Sequence, residues 1–224
     1  LGTRLRPGSD EVRKPRLAVQ GRPILDWTLS ALPAEVNRVI VVAHYLAEQV
    51  EAYLAIQPHI AQYEIVIQET PRGTGDAVRC CESHVQSDRF MVLNGDDLFG
   101  SADLAKLSKT EAGILVYPVD TPRSFGIVFP REDGSLEKLV EKPDLDGTHL
   151  ANVGAYLLPK KIFETELTLS ERGEYELTQY VHVLGQTDRI EVVKANYWFP
   201  IGTEETWNAA QNEDLQSVMG GISL

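Results

Sequence analysis

Short apolar runs and helical stripes alternate through the first half of this chain. Residues 38–43 (RVIVVA) are apolar and β-branched with almost no polar interruption, the pattern of a strand covered on both faces. The period then changes. Leu46, Val50, Tyr53 and Leu54 recur at helical spacing, which predicts an amphipathic helix over 48–53. Residues 63–68 (YEIVIQ) read as the next strand, and 75–85 place Val78, Cys81 and Val85 on one helical stripe. Residues 89–97 (RFMVLNGDD) are a third strand running into a glycine turn, and 112–119 (AGILVYPV) a fourth. Such alternation predicts an α/β fold, a largely parallel sheet with helices on both faces.

After Pro122 the texture changes. FGIVF, LEKLVEKP and ANVGAYLL are strand patterns joined by turns such as REDG, with little helix between them. This half reads as antiparallel or mixed sheet added to the first, a lid or substrate-binding half. Helix returns around 159–165, 176–184 and 204–213. No repeat, low-complexity linker or boundary interrupts the chain, so residues 1–224 are expected to form one domain with two functional halves, 1–121 and 122–224.

Composition narrows the functional classes. The 224 residues are 43% hydrophobic and 24% charged, ordinary for a soluble globular chain. A net charge of −12 argues against nucleic acid as a partner and against docking on an anionic membrane. No apolar run reaches the ~18–20 residues of a membrane span, and no signal-peptide pattern is present. Cys80 and Cys81 are adjacent, read as two reduced thiols on a helix, and a cytoplasmic location is expected. A homo-oligomer is compatible with all of this.

Against that acidic background the opening stretch LGTRLRPGSDEVRKP stands out. Its Arg4, Arg6, Arg13, Lys14 and the following Arg16 face only Asp10 and Glu11. Gly2, Thr3 and Arg4 form a short loop whose backbone N–H groups can turn toward a phosphate with guanidinium groups alongside, and Arg binds phosphate oxygens in pairs. The five histidines, at 44, 59, 84, 149 and 182, show no ligand or triad spacing and read as structural or surface residues.

LGTRLRP followed by KPRLAVQGRPIL resembles the signature of the sugar-1-phosphate nucleotidylyltransferases, the enzymes that make nucleotide-sugars. QETPRGTGDAV (68–78), LNGDD (93–97), SFGIVF (124–129), LVEKP (139–143), ANVGAYLL (151–158), GEYELT (173–178) and WFPIGTEETW (198–207) follow in the family's order, across nearly the whole chain. The resemblance implies a three-layer α/β/α Rossmann-like fold with a mostly parallel mixed sheet and an added antiparallel sugar-binding half. It also implies that Leu1 sits inside the family's glycine loop, so that the first strand of the family fold lies before the sequence given.

The reaction joins a sugar-1-phosphate oxygen to the α-phosphorus of a nucleoside triphosphate and expels pyrophosphate. The nucleophile is already an anion, so the site needs charge neutralisation and alignment rather than a general base. By resemblance, Arg4 and Lys14 are the catalytic cations, Arg4 against the triphosphate and Lys14 drawing the reacting phosphates together. Gly2, Thr3, Arg4, Gln68, Gly73 and Thr74 are expected around the nucleotide. Gln68 carries an amide able to meet the imide edge of uracil or thymine, which favours UTP or dTTP. Gly126, Glu141, Lys142, Asn152 and Glu174 are expected around the sugar phosphate, with Lys142 on the phosphate. Asp96, at the end of a strand, suits Mg²⁺, the implied cofactor.

Two positions depart from the pattern. Pro200 stands where much of the family has a second metal aspartate, and Gln179 where an aspartate is common after ELT. Proline has no side-chain ligand, which supports an alternative reading, a regulatory protein that binds nucleotide or sugar phosphate without turnover.

Overall fold

The computed structural model describes residues 18–44, 47–170 and 172–219. The strands are β1 (Ala18–Val19), β2 (Arg22–Pro23), β3 (Arg38–Ala43), β4 (Gln62–Ile67), β5 (Arg89–Leu93), β6 (Asp97–Phe99), β7 (Gly113–Val119), β8 (Gly126–Pro130), β9 (Leu136–Glu141), β10 (His149–Pro159), β11 (Glu191–Lys194) and β12 (Trp198–Pro200). The helices are α1 (Ile24–Ser30), α2 (Ala47–Leu54), α3 (Thr74–Arg79), α4 (Ser101–Leu107), α5 (Leu177–Thr187), α6 (Glu204–Ala210) and α7 (Leu215–Met219). A 3₁₀ turn covers Lys160–Glu164, where the sequence predicts a helix.

β1 and β2 form a tight antiparallel hairpin whose turn residues, Gln20 and Gly21, both have positive φ (51° and 78°), as a two-residue hairpin turn requires. Pro23 then sets the entry into α1. β3, α2 and β4 make a parallel βαβ unit with Arg38 opposite Gln62 and Ala43 opposite Ile67. The alternation of β3 sends Val39 and Val41 toward Leu25, Leu29, Val50 and Leu54 of α1 and α2. Ile40 and Val42 pack on the other face, against the cluster around Tyr180 and Leu184. The strand is covered on both faces, as its unbroken apolar run predicts.

The main sheet has the order β11-β7-β10-β8-β9, with β5 also paired to β10. β10 pairs with strands from either side of Pro122 in the sequence. It runs antiparallel to β5, β7 and β8, while β11 lies parallel to β7. The α/β class and the mixed sheet stand as expected, with more antiparallel pairing among the described residues than the alternation suggested. The reason is topological: β10 returns from the second half and inserts between β5 and β7, which the sequence reads as successive parallel strands.

Helices cover both faces of this sheet. On one side Leu115, Val153 and Ala155 pack with Trp27, Phe99, Leu104 and Trp198. On the other, Ile114, Val116 and Leu158 pack with Tyr180, Val181 and Leu184. Burying each such large apolar side chain contributes ~1.5–3 kcal/mol. Two cores separated by one sheet are the three layers the resemblance implies. The helix expected over 75–85 is α3, which ends at Arg79; the chain continues through the Cys80–His84 turns, closed by contacts such as Cys81 N–H to Val78 O (2.9 Å). Among the described residues no helix is long and apolar enough to cross a membrane.

Candidate active site

Gly2, Thr3, Arg4 and Lys14 lie outside the described residues. The remaining candidates fall into three groups that the fold joins into one strip.

The first group follows β4. Gln68 is buried, and its Nε2 donates to Gly73 O (3.2 Å) and to Asp76 Oδ2 (2.8 Å). Both amide protons are therefore committed inside the loop, and Gln68 Oε1 has no hydrogen bond among the described residues. Asp76, itself buried, also pairs with Arg72 Nη2 (2.8 Å). The sequence reading missed Asp76, although its spacing of eight from Gln68 across a glycine turn was a signal. Gly73 has φ +123°, and a β-carbon there would meet Tyr175 O at 2.3 Å. The close approach that this glycine permits is thus to a neighbouring backbone. Thr74 Oγ1 accepts a hydrogen bond from Leu177 N–H (3.0 Å).

The second group lies at the C-terminal end of β5. Asn94 Nδ2 donates to Asp97 Oδ2 (3.1 Å), and Asn94 N–H donates to Gly154 O (2.8 Å). Asp96 is half-buried, and its carbonyl accepts from Ile201 N–H (3.0 Å). β12 pairs antiparallel with β6, which sets Pro200 directly opposite Asp97. The residue lacking a side-chain ligand is therefore beside the candidate metal carboxylate, at the place where the resemblance puts a second one.

The third group gathers the sugar-side candidates. Gly126 and Glu141 are register partners of β8 and β9, and a β-carbon at 126 would lie 3.0 Å from Glu141 Oε2 and 3.8 Å from Asn152 Cβ. The register of β10 against β7 shifts between Asn152 and Tyr156, where Gly154 takes φ +76°. Asn152 holds this bulge. Its Oδ1 accepts from Gly154 N–H (3.1 Å), and its Nδ2 donates to the buried Tyr156 hydroxyl (2.6 Å). Lys142, the residue after β9, takes φ +44°, an uncommon left-handed conformation for a non-glycine residue that costs ~1–3 kcal/mol and recurs at functional sites. Its N–H donates to Phe125 O (2.9 Å). Glu174 is exposed.

Arg172 was not singled out in the sequence. Its Nη1 lies 3.5 Å from Glu141 Oε1 and 3.4 Å from Glu176 Oε1, so one guanidinium bridges two carboxylates. Burial and the charges of Glu176 and Glu174 push the Glu141 carboxyl above its ordinary pKa, against the opposing pull of Lys142 and Arg172. Burial likewise pushes Tyr156 up, with help from Glu141 and Asp97 and against its bond to Asn152, so these carboxylates act on one buried phenol. A cavity of about 160 Å³ opens beside Glu141 and is lined by Ser170, Glu176, Thr178, Gln179 and His182. Among the described residues, Gln179 Oε1 and His182 Nδ1 are buried there without a hydrogen-bond partner. His182, expected to be structural or on the surface, belongs to this wall. Cys80 and Cys81 are both free, and burial pushes the Cys81 thiol up to about 11.

The groups are contiguous. Tyr175 N–H donates to Arg72 O (2.8 Å) and Gly75 N–H to Tyr175 O (2.8 Å), zipping the 72–75 loop to the segment that carries Arg172 and Glu176. Glu141, Gly126 and Asn152 lead across to Gly154, Asn94 and Asp97 at the other end. Gln68, Asn94 and Glu141 lie at or just after the C-terminal ends of β4, β5 and β9, and open α/β folds bind ligands outside the carboxyl ends of their strands.

The fold and this strip are those of an α/β domain with a polar site at strand ends, and comparison with known proteins gives its family. The nucleotidyl transferase family model matches residues 1–217, and the chain belongs to that family. It is 33% identical over 204 residues to the bifunctional protein GlmU of Methanocaldococcus jannaschii, covering 90% of this chain and 49% of that protein. It is 27% identical to the UTP–glucose-1-phosphate uridylyltransferase AglF of Haloferax volcanii, covering 96% and 95%. The UDP-glucose pyrophosphorylase from Acinetobacter baumanii superposes with a TM-score of 0.79 at 28% identity, covering 94% of this chain and 88% of that one. The chain spans about half the length of the GlmU relatives.

Proposed function

We propose that the protein transfers a nucleotidyl group from a nucleoside triphosphate, UTP or dTTP in preference, to a sugar 1-phosphate, releasing pyrophosphate, and that it does so in the cytoplasm. Residues 1–121 serve the nucleotide and 122–224 the sugar. The observation that carries this reading is the strip itself: the loop of Gln68, Gly73 and Thr74 is bonded through Tyr175 to the wall of Glu141, Arg172 and Glu176. Two anionic reactants bound at its two ends would meet between them, which is the demand of phosphoryl-type transfer.

Glu141 would accept from sugar hydroxyls. Lys142 and Arg172 would offset the sugar phosphate's charge, and Arg4 and Lys14 that of the triphosphate. Gln68, its donors occupied, would present its carbonyl to the imide N–H of a pyrimidine. Mg²⁺ fits a sparse donor set, since it takes one or two carboxylates and otherwise water and phosphate oxygens. Asp96 would hold it, with Asp97 behind it, and no group of three or more His, Cys, Asp or Glu is gathered as a cage among the described residues. When bound, the ion would neutralise triphosphate charge.

The test is a matrix of UTP, dTTP, CTP, GTP and ATP against glucose 1-phosphate and N-acetylglucosamine 1-phosphate with Mg²⁺, reading pyrophosphate. Release with a pyrimidine triphosphate supports the reading. Pro200 opposite Asp97 favours one alternative, a binding protein without turnover; calorimetric nucleotide binding with no pyrophosphate from any pair selects it.

A further inference from the structure

Helix α5 begins at Leu177, one residue after Glu176, and no side chain of its own caps it. The first N–H groups of a helix have no partner within it. The Leu177 N–H is nevertheless satisfied, by Thr74 Oγ1 at 3.0 Å across 103 residues of sequence. Thr74 comes from the loop expected to hold the nucleotide, yet the group it bonds starts the helix whose first turn supplies Thr178 and Gln179 to the cavity beside Glu141. Two backbone bonds, Tyr175 N–H to Arg72 O and Gly75 N–H to Tyr175 O, run beside it but fix only the backbone of residue 175. Glu176, which binds Arg172 and adds its charge to the field at Glu141, lies between that anchor and the Thr74 bond.

We infer that Thr74 is a positioning residue for the sugar side of the site: its hydroxyl caps α5 from the opposite loop and sets Glu176, and through it Arg172, against Glu141. This rests on the nucleotidyl-transfer reading above. It separates what the two neighbours in the PRGTG loop do. Gly73 makes room for the Tyr175 carbonyl, and Thr74 supplies the acceptor that the helix lacks.

The experiment compares wild type, Thr74→Val and Thr74→Ser. Valine keeps the branched shape without the acceptor, and serine keeps the acceptor. Steady-state rates are measured with UTP and with glucose 1-phosphate or N-acetylglucosamine 1-phosphate, and amide hydrogen exchange is followed over residues 172–178. Thr74→Val is expected to raise the KM for the sugar phosphate about five- to tenfold, the scale of one lost cap bond, and clearly more than it raises the KM for UTP. Thr74→Ser is expected to restore both. A matching rise in the UTP KM, or no change in either, overturns the inference. If wild type releases no pyrophosphate, the transfer reading has failed instead, and exchange alone decides: faster exchange over 172–178 in Thr74→Val but not in Thr74→Ser upholds the cap, and unchanged exchange rejects it.

Discussion

Gly73 and Tyr175 approach so closely that a β-carbon on residue 73 would lie 2.3 Å from the Tyr175 carbonyl oxygen and 2.9 Å from its carbonyl carbon. The obstacle is backbone, which cannot swing away as a side chain can, and φ at 73 is +123°. Gly73→Ala is therefore expected to destabilise the fold by ~2–3 kcal/mol and to abolish transfer, read as a lower denaturant midpoint with loss of pyrophosphate release. A midpoint equal to wild type would show that the two loops are not held together here.

Gly154 answers to the same test from the other end of the strip. A β-carbon there would fall 2.0 Å from Asn94 Nδ2, at φ +76°. Gly154→Ala should push Asn94 off Asp97 and disturb the turn carrying Asp96. The expected outcome is a rise in the Mg²⁺ concentration needed for half-maximal rate, larger than any rise in the KM for UTP.

Glu141 has a raised folded-state pKa, so the folded protein favours its neutral form. That contribution is full below the unfolded value of 4.5 and is lost as pH rises through the folded value. Glu141→Gln, permanently neutral, should melt higher than wild type at pH 7, with the gap closing below about pH 4.5. Activity should move the other way, falling tenfold or more as the acceptor for sugar hydroxyls is weakened. Calorimetric scans and pyrophosphate assays across pH separate the two effects.

The pairing of Pro200 with Asp97 offers a gain as well as a loss. Asp96→Asn should lower kcat by about two to three orders of magnitude, as removal of a group that organises charge in the transition state does. Pro200→Asp adds a hard oxygen next to it and should lower the half-saturating Mg²⁺ concentration several-fold. An unchanged rate in Asp96→Asn would remove this residue from the metal assignment.

Away from the site, Asp26 accepts from Tyr53 OH, from Arg22 Nε (2.6 Å) and from His59 Nε2 (3.0 Å), tying α1 to α2 and the loop after it. Burial raises its pKa, but the bonds from Tyr53, Arg22 and His59 and the Arg22 charge outweigh that and hold it below 3.8. The stability is present above 3.8 and is lost as pH falls through the lower folded value. Asp26→Asn should cost about 2 kcal/mol at pH 7, with the difference from wild type shrinking under acid, as urea midpoints would show.

Much of the architecture was legible along the chain because it is local. The β-branched run at 38–43 became β3 residue for residue, and the strand patterns after Pro122 became the antiparallel β8, β9 and β10. The motif candidates Gly126, Glu141 and Asn152 do lie together, since strand alternation and a short β8–β9 connection suffice to align them. The hairpin at 18–23 escaped notice because its strands have two residues each, too few for any period to register.

Local pattern along the chain therefore set the class of element at each stretch, the α/β character, and which short motifs carry polar chemistry, because propensity and hydrophobic period act over a few residues. Not written along the chain are the entry of β10 between β5 and β7, the bridge from Arg172 to Glu141 and Glu176, the pairing of Pro200 with Asp97, and the bond from Thr74 to a helix start 103 residues away. These relationships join segments whose meeting is set by packing a sheet between two cores, and no local pattern records which distant partner a hydroxyl or a guanidinium will find.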